Sequence, residues 1–281
     1  MREKSFRLQV TPLAHEETPF EARNGDVVLR GETEGDGPPV VLMHGLTATR
    51  RYVVHGSHAL ARRGWWTVAY DARGHGESDP APDPAAYEYS DLVADLRCVL
   101  DGLEIERTAL AGVSMGAHAA LRFALEAADR VSALVLITPA FTGEGPVAWE
   151  GLGDALDERG IDGFLELWGG EGVSERFRTA AMKAAWQRLE RHRHLDAVAD
   201  ALRVVPSSQP FDGLASLEEI DVPALVVGSR DEADPMHPLE VAEAYAEQLP
   251  RGELAVEDEG SSPLAWQGAR LSKAIAAFLD R

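Results

Sequence analysis

Residues Thr108-Ala109-Leu110-Ala111-Gly112-Val113-Ser114-Met115-Gly116-Ala117 carry the organising signal of this chain. A short apolar run from Thr108 to Ala111 suits a buried strand, and the helix-spaced residues Ala117, Leu121 and Phe123 follow it. Between them, two glycines bracket Ser114. A serine on so sharp a strand-to-helix turn is held in a strained backbone conformation, and glycines two before and two after it remove side chains that would meet neighbouring backbone. The hydroxyl is left exposed at the sheet edge. The following helix points its positive end to the same place, where negative charge is stabilised.

The same alternation extends in both directions. Strand-like runs occur at Val27 to Arg30, Val40 to Met43, Thr67 to Tyr70, Ala133 to Ile137, Ala224 to Val227 and Glu253 to Val256. Leu92, Leu96, Val99, Leu100 and Leu103 follow helical spacing behind Ser90, an expected N-cap, and Leu271, Ile275, Phe278 and Leu279 close the chain as another helix. Strand-helix alternation predicts an α/β fold: a mostly parallel central sheet flanked by helices on both faces, with functional loops at the carboxyl ends of the strands. From about Thr142 to Asp212 the alternation stops, and Trp149, Phe164, Leu167, Trp168, Met182 and Trp186 lie among helical or irregular patterns. We read a core domain over 1–141 and 213–281 interrupted by a helical lid over 142–212, the alternative being an ordinary helical packing layer. A lid supplies an apolar pocket wall, although aromatic residues at this spacing also serve as core.

The 281 residues carry a formal charge of -20, which argues against a surface built for phosphates or anionic lipid, so no nucleic acid or membrane partner is expected. The single cysteine, Cys98, excludes an intrachain disulfide and a thiolate metal cluster. The start of the chain lacks the apolar segment of a secretory signal, and no apolar run reaches membrane-spanning length, so a cytoplasmic location is expected. Oligomeric state is not legible in these residues.

Two further motifs accompany the Ser114 turn. Val40-Val41-Leu42-Met43-His44-Gly45-Leu46 is a strand running into a His-Gly turn, and Tyr70-Asp71-Ala72-Arg73-Gly74-His75-Gly76-Glu77-Ser78 is a glycine-relieved turn after the next strand. Together with Gly112-Val113-Ser114-Met115-Gly116 they resemble the α/β-hydrolase superfamily from roughly Phe20 to the C-terminus, in the lid-bearing branch of esterases, lipases and C-C bond hydrolases. The resemblance implies a nucleophilic Ser114, with backbone N-H groups of Leu46 and Met115 as an oxyanion hole. It implies a structural His44 and a purely architectural turn at Gly74, His75 and Gly76. Serine at the elbow argues against haloalkane dehalogenases and epoxide hydrolases, whose residue there is aspartate. No cofactor or metal is implied.

The resemblance places the acid just past Leu225-Val226-Val227-Gly228-Ser229-Arg230, at Asp231, with Glu232 and Asp234 as competitors. It places the base after the last strand, where this chain has Ser261 in Glu259-Gly260-Ser261-Ser262-Pro263 and no histidine follows His237. Three readings stand. The base is relocated to His237, near the start of a helix suggested by Asp234-Pro235. Alternatively, position 261 has been altered from histidine. Or the fold binds a small apolar ligand without efficient turnover. His118 reads as helix packing, and His192 and His194 as part of an exposed run, Arg191-His192-Arg193-His194. The leading expectation is a serine hydrolase acting on a small apolar acyl substrate through Ser114, His237 and Asp231; the competing one is a degenerate hydrolase acting as a ligand-binding protein.

Overall fold

The computed structural model describes residues 17–141 and 149–281. Eight strands, β1 (Thr18–Asn24), β2 (Val27–Glu34), β3 (Pro39–Met43), β4 (Trp66–Tyr70), β5 (Thr108–Val113), β6 (Val131–Ile137), β7 (Ala224–Val227) and β8 (Gly252–Ala255), form one sheet in the order β1-β2-β4-β3-β5-β6-β7-β8. The pairs β1/β2 and β2/β4 are antiparallel and the remainder parallel. Helices α1 (Tyr89–Gly102), α2 (Met115–Glu126), α6 (Leu239–Gln248) and α7 (Gly268–Leu279) flank it, while α3 (Glu150–Trp168), α4 (Glu175–Leu189) and α5 (Leu195–Val204) are inserted between β6 and β7. The expected α/β architecture with a helical insert is present. Residues 142–148 of the predicted insertion lie outside the described residues.

The continuous apolar runs of the parallel strands are explained by burial on both faces. Val41, Met43, Leu110, Leu134, Leu136 and Val226 belong to one core with α1, α2 and α6; their neighbours Val40, Leu42, Ala109, Ala111, Val135 and Val227 belong to a second core with α7. Successive side chains of a strand point to opposite faces, so a strand between two layers of helices has no polar side. The insert has its own small core of Leu156, Phe164, Leu189, Val198, Ala199 and Leu202.

Two local expectations are corrected. Ser90 lies inside α1; the cap is Glu88, in a reciprocal capping box with Asp91 whose carboxylate accepts the Glu88 N-H at 3.0 Å. The antiparallel strand β1 was not anticipated, because its largely exposed residues lack an apolar run, although the two-residue Gly25-Asp26 turn joining it to β2 is a hairpin signal.

Chain order reverses direction across the sheet at β3: β4 lies on one side of it and β5 on the other. Such a switch point opens a crevice at the carboxyl ends of the two adjacent strands. Those ends carry His44-Gly45-Leu46 and Ser114.

Candidate active site

Met43 of β3 registers with Gly112 of β5, so the His-Gly turn lies beside the Ser114 turn. Ser114 has φ 49° and ψ -109°, a conformation rare for a side chain with Cβ, and its carbonyl accepts the first helical bond of α2 from His118 N-H at 3.0 Å. The packing explains both glycines: a Cβ on Gly112 would strike the Gly116 carbonyl, and one on Gly116 would strike that of Met43. A Cβ on Gly45 would lie 3.6 Å from Ser114 Cβ, an ordinary van der Waals contact, so the two turns are close neighbours.

His237 reaches Ser114 across 123 residues of sequence: Ser114 Oγ donates to His237 Nε2 at 3.0 Å, while His237 Nδ1-H donates to Asp234 Oδ1 at 2.8 Å. An ionised carboxylate only accepts, which assigns the ring proton to Nδ1 and leaves Nε2 free to take the serine proton. His237 and Asp234 retain one-fifth or less of their side-chain exposure. His237 sits just before α6, whose first residue is Leu239 and whose N-cap is Pro238, so the helix begins later than Asp234-Pro235 suggested.

The carboxylate expected to orient the base does something else. Asp231, at φ 64°, turns its Oδ1 to accept the Leu239 N-H at 2.6 Å and so caps α6. Asp234 instead holds His237, and Glu232 pairs with Arg176 of α4 at 2.7 Å. Ser261 lies in the turn after β8, its N-H on Asp258 O at 3.0 Å, lining a polar surface cavity with Arg230, Glu232, Glu257 and Glu259. No hydrogen bond joins it to Ser114 among the described residues.

Neither Leu46 N-H nor Met115 N-H is engaged by another group among the described residues. The carbonyl of the Gly45–Leu46 peptide accepts from Ala48 N-H at 2.9 Å and from His44 Nδ1-H at 2.9 Å. In a planar trans peptide the N-H points opposite to the C=O, so these bonds fix the direction of the Leu46 donor.

His44, His118 and His192 are buried and hydrogen-bonded within the fold, and burial lowers the pKa of each. His44 is buried, accepts Ala72 N-H at Nε2 (2.9 Å), and has its pKa lowered to about 3 by desolvation foremost. His118, also at about 3 by desolvation, accepts the N-H groups of Ala140 and Phe141 and donates to Tyr89 Oη. His192 departs from its expected place in an exposed run: only 8% accessible, it points into the core, and desolvation lowers its pKa to about 3. The Asp71–Ser78 turn is architectural as expected, with buried Arg73 clamped on Asp95 by two 2.7 Å bonds and Ser78 Oγ donating to Asp71 O. Trp149 and Trp168 pack on the insert's core, and Trp186 is exposed. No described helix is long and apolar enough to cross a membrane.

The sequence profile of the alpha/beta hydrolase fold matches residues 38–200. The chain is 32% identical over 237 residues, covering 79% of each protein, to the 2-hydroxy-6-oxononadienedioate/2-hydroxy-6-oxononatrienedioate hydrolase of Paraburkholderia phymatum. It spans about half or less of the length of several other curated relatives, epoxide hydrolases among them. A bromoperoxidase from Bacillus anthracis superposes with TM-score 0.78 at 22% identity, over 94% of this chain and all of that one. A thermophilic esterase from Thermogutta terrifontis gives 0.76 at 22% identity, over 94% and 98%. At such identities these two likenesses speak for the fold alone, whereas the profile match and the Paraburkholderia relative establish descent: the chain belongs to the α/β-hydrolase family.

Proposed function

We propose that this protein is a serine hydrolase of esters or related acyl compounds, working through Ser114, His237 and Asp234. The observation that carries the reading is the continuous chain of hydrogen bonds from Ser114 Oγ through His237 to Asp234 Oδ1. A serine hydroxyl is a weak nucleophile until a neutral base accepts its proton, and a neutral imidazole oriented by a carboxylate is such a base. As Oγ bonds to the acyl carbon, its proton passes to Nε2 and the carbonyl oxygen becomes an oxyanion facing the Leu46 and Met115 N-H groups. The imidazolium, stabilised by Asp234, then protonates the leaving group. Water deprotonated by the same Nε2 cleaves the acyl-enzyme, and Ser114 regains its proton.

In this reading the loop after β7 supplies both base and acid, so Ser261 has no part in the chemistry, and Asp231 acts by starting α6. The helical insert is the lid. The ligand-binding alternative leaves the aligned Ser114–His237 contact and the strained elbow without a purpose, since such strain costs about 1–3 kcal/mol. The test is hydrolysis of a short-chain p-nitrophenyl ester by the wild type, Ser114→Ala and His237→Ala, with phosphonate labelling located by mass spectrometry. We expect an acyl-enzyme burst, labelling at Ser114, and losses of roughly 10⁴-fold or more in both variants. A wild type no faster than Ser114→Ala, with Ser114 unlabelled, refutes the proposal.

A further inference from the structure

The loop Gly45-Leu46-Thr47 presents three successive carbonyls, and a different histidine meets each. His44 Nδ1-H donates to Gly45 O at 2.9 Å, His75 Nε2 lies 2.6 Å from Leu46 O, and His192 Nε2 lies 3.2 Å from Thr47 O. The three rings are buried and pack in series, tilted at 49° between His44 and His75 (centroids 5.1 Å apart) and edge-to-face between His75 and His192 (5.4 Å). His44 and His75 come from the core domain. His192 comes from the connection between α4 and α5, inside the insert.

The geometry assigns His192 its proton. Gly76 N-H donates to His192 Nδ1 at 2.9 Å, so the ring hydrogen resides on Nε2 and donates to Thr47 O. Backbone docking reinforces the contact, since Arg193 N-H donates to Gly76 O at 3.0 Å. Independently of these bonds, the Leu46 side chain packs against the insert's own apolar core as well as the main core. The residue bearing the candidate oxyanion donor therefore touches the insert through its side chain, and the carbonyl of the next residue, Thr47, is tied to the insert through His192.

We propose that His192 is a positioning residue through which the helical insert holds the oxyanion loop in its competent shape, so that the seating of the insert and the alignment of the Leu46 N-H are one equilibrium. The inference rests on the hydrolase reading for its catalytic consequence, but the clamp is a structural property measurable without turnover. Only the neutral ring can accept from Gly76 and donate to Thr47 together. A side chain that keeps one of these two bonds separates docking of the insert from support of the loop.

The test compares His192→Asn, whose amide oxygen replaces the Nδ1 acceptor toward Gly76 but whose reach falls short of Thr47, with His192→Gln, whose longer amide reaches toward Thr47. His192→Ala removes both bonds. Two readouts are taken: amide hydrogen exchange over His44 to Ala48, and kcat and KM for the p-nitrophenyl ester. We expect exchange to accelerate roughly ten-fold in His192→Asn and His192→Ala, with partial recovery in His192→Gln, and kcat to fall by a similar roughly ten-fold with KM within two-fold. Affinity for a trifluoromethyl ketone, which forms a tetrahedral adduct on the serine, should fall in step with kcat/KM. Unchanged protection of the loop in folded His192→Asn overturns the clamp whether or not the enzyme turns over. Accelerated exchange with unchanged kcat, or a rise in KM alone, overturns its catalytic consequence, whereas inactivity of the wild type relative to Ser114→Ala speaks against the hydrolase reading instead.

Discussion

Two carboxylates compete for the role of orienting His237, and one pair of substitutions separates them. Asp234→Asn removes the charge 2.8 Å from His237 Nδ1 and substitutes an amide that can face the ring with either its oxygen or its NH₂. If the NH₂ faces Nδ1, the ring proton shifts to Nε2 and the base points the wrong way. Loss of the equivalent carboxylate in a fully buried triad costs about 10⁴ in kcat, or roughly 5.5 kcal/mol of transition-state stabilisation. Here the Asp234 side chain keeps 15% of its exposure, so solvent screens part of the effect. We expect a fall of roughly 10²- to 10⁴-fold in kcat. Asp231→Asn has a different expectation: asparagine tolerates the left-handed φ of 64° and retains an oxygen for the Leu239 N-H, so both fold and kcat should stay within a few-fold of wild type. Steady-state kinetics on the p-nitrophenyl ester, with urea unfolding as the control for folding, reads both. A large kcat loss in Asp231→Asn together with a nearly normal Asp234→Asn would refute the assignment.

Acid should destabilise the protein by a predictable route. His44, His118 and His192 are held at about 3 by burial, below the ~6.5 of an exposed imidazole, so the unfolded chain binds more protons between those values. Their contribution is complete above pH ~6.5 and is lost as pH falls toward 3. The urea midpoint should drop between pH 7.5 and 4.5, with a shallower drop in His118→Gln; an unchanged midpoint would contradict the buried neutral assignments. Arg73→Met should cost about 3–5 kcal/mol by equilibrium unfolding, because it leaves the Asp95 carboxylate, 1% exposed, without its cation. A loss below 1 kcal/mol would show that Asp95 finds another partner. Ser261→Ala should leave kcat and KM within two-fold of wild type; a loss above ten-fold would return the turn after β8 to the catalytic machinery.

Much of the architecture is written in short-range patterns. The apolar runs of β3, β5, β6 and β7, the spacing of Leu92 to Leu103, and the glycines flanking Ser114 each follow from local rules of burial, periodicity and steric exclusion, so they can be read without a partner in view. The same holds for the His-Gly turn and for the interruption of alternation after β6. Where local signals were weak, expectation failed: β1 has a mostly exposed face, and Glu88 caps a helix with a side chain less usual in that place than Ser90. The details of the site belong to a longer range. Asp231, Glu232 and Asp234 are equivalent as letters, and only the left-handed turn at Asp231 sends its carboxylate to α6 while bringing Asp234 under the imidazole. His192 sits in a run of four cationic or titratable residues that resembles a solvated surface, yet docking of the insert buries its ring against Gly76 and Thr47. Hydrogen-bond direction depends on backbone dihedrals and on groups remote in sequence, and no pattern of residue types along one segment encodes either.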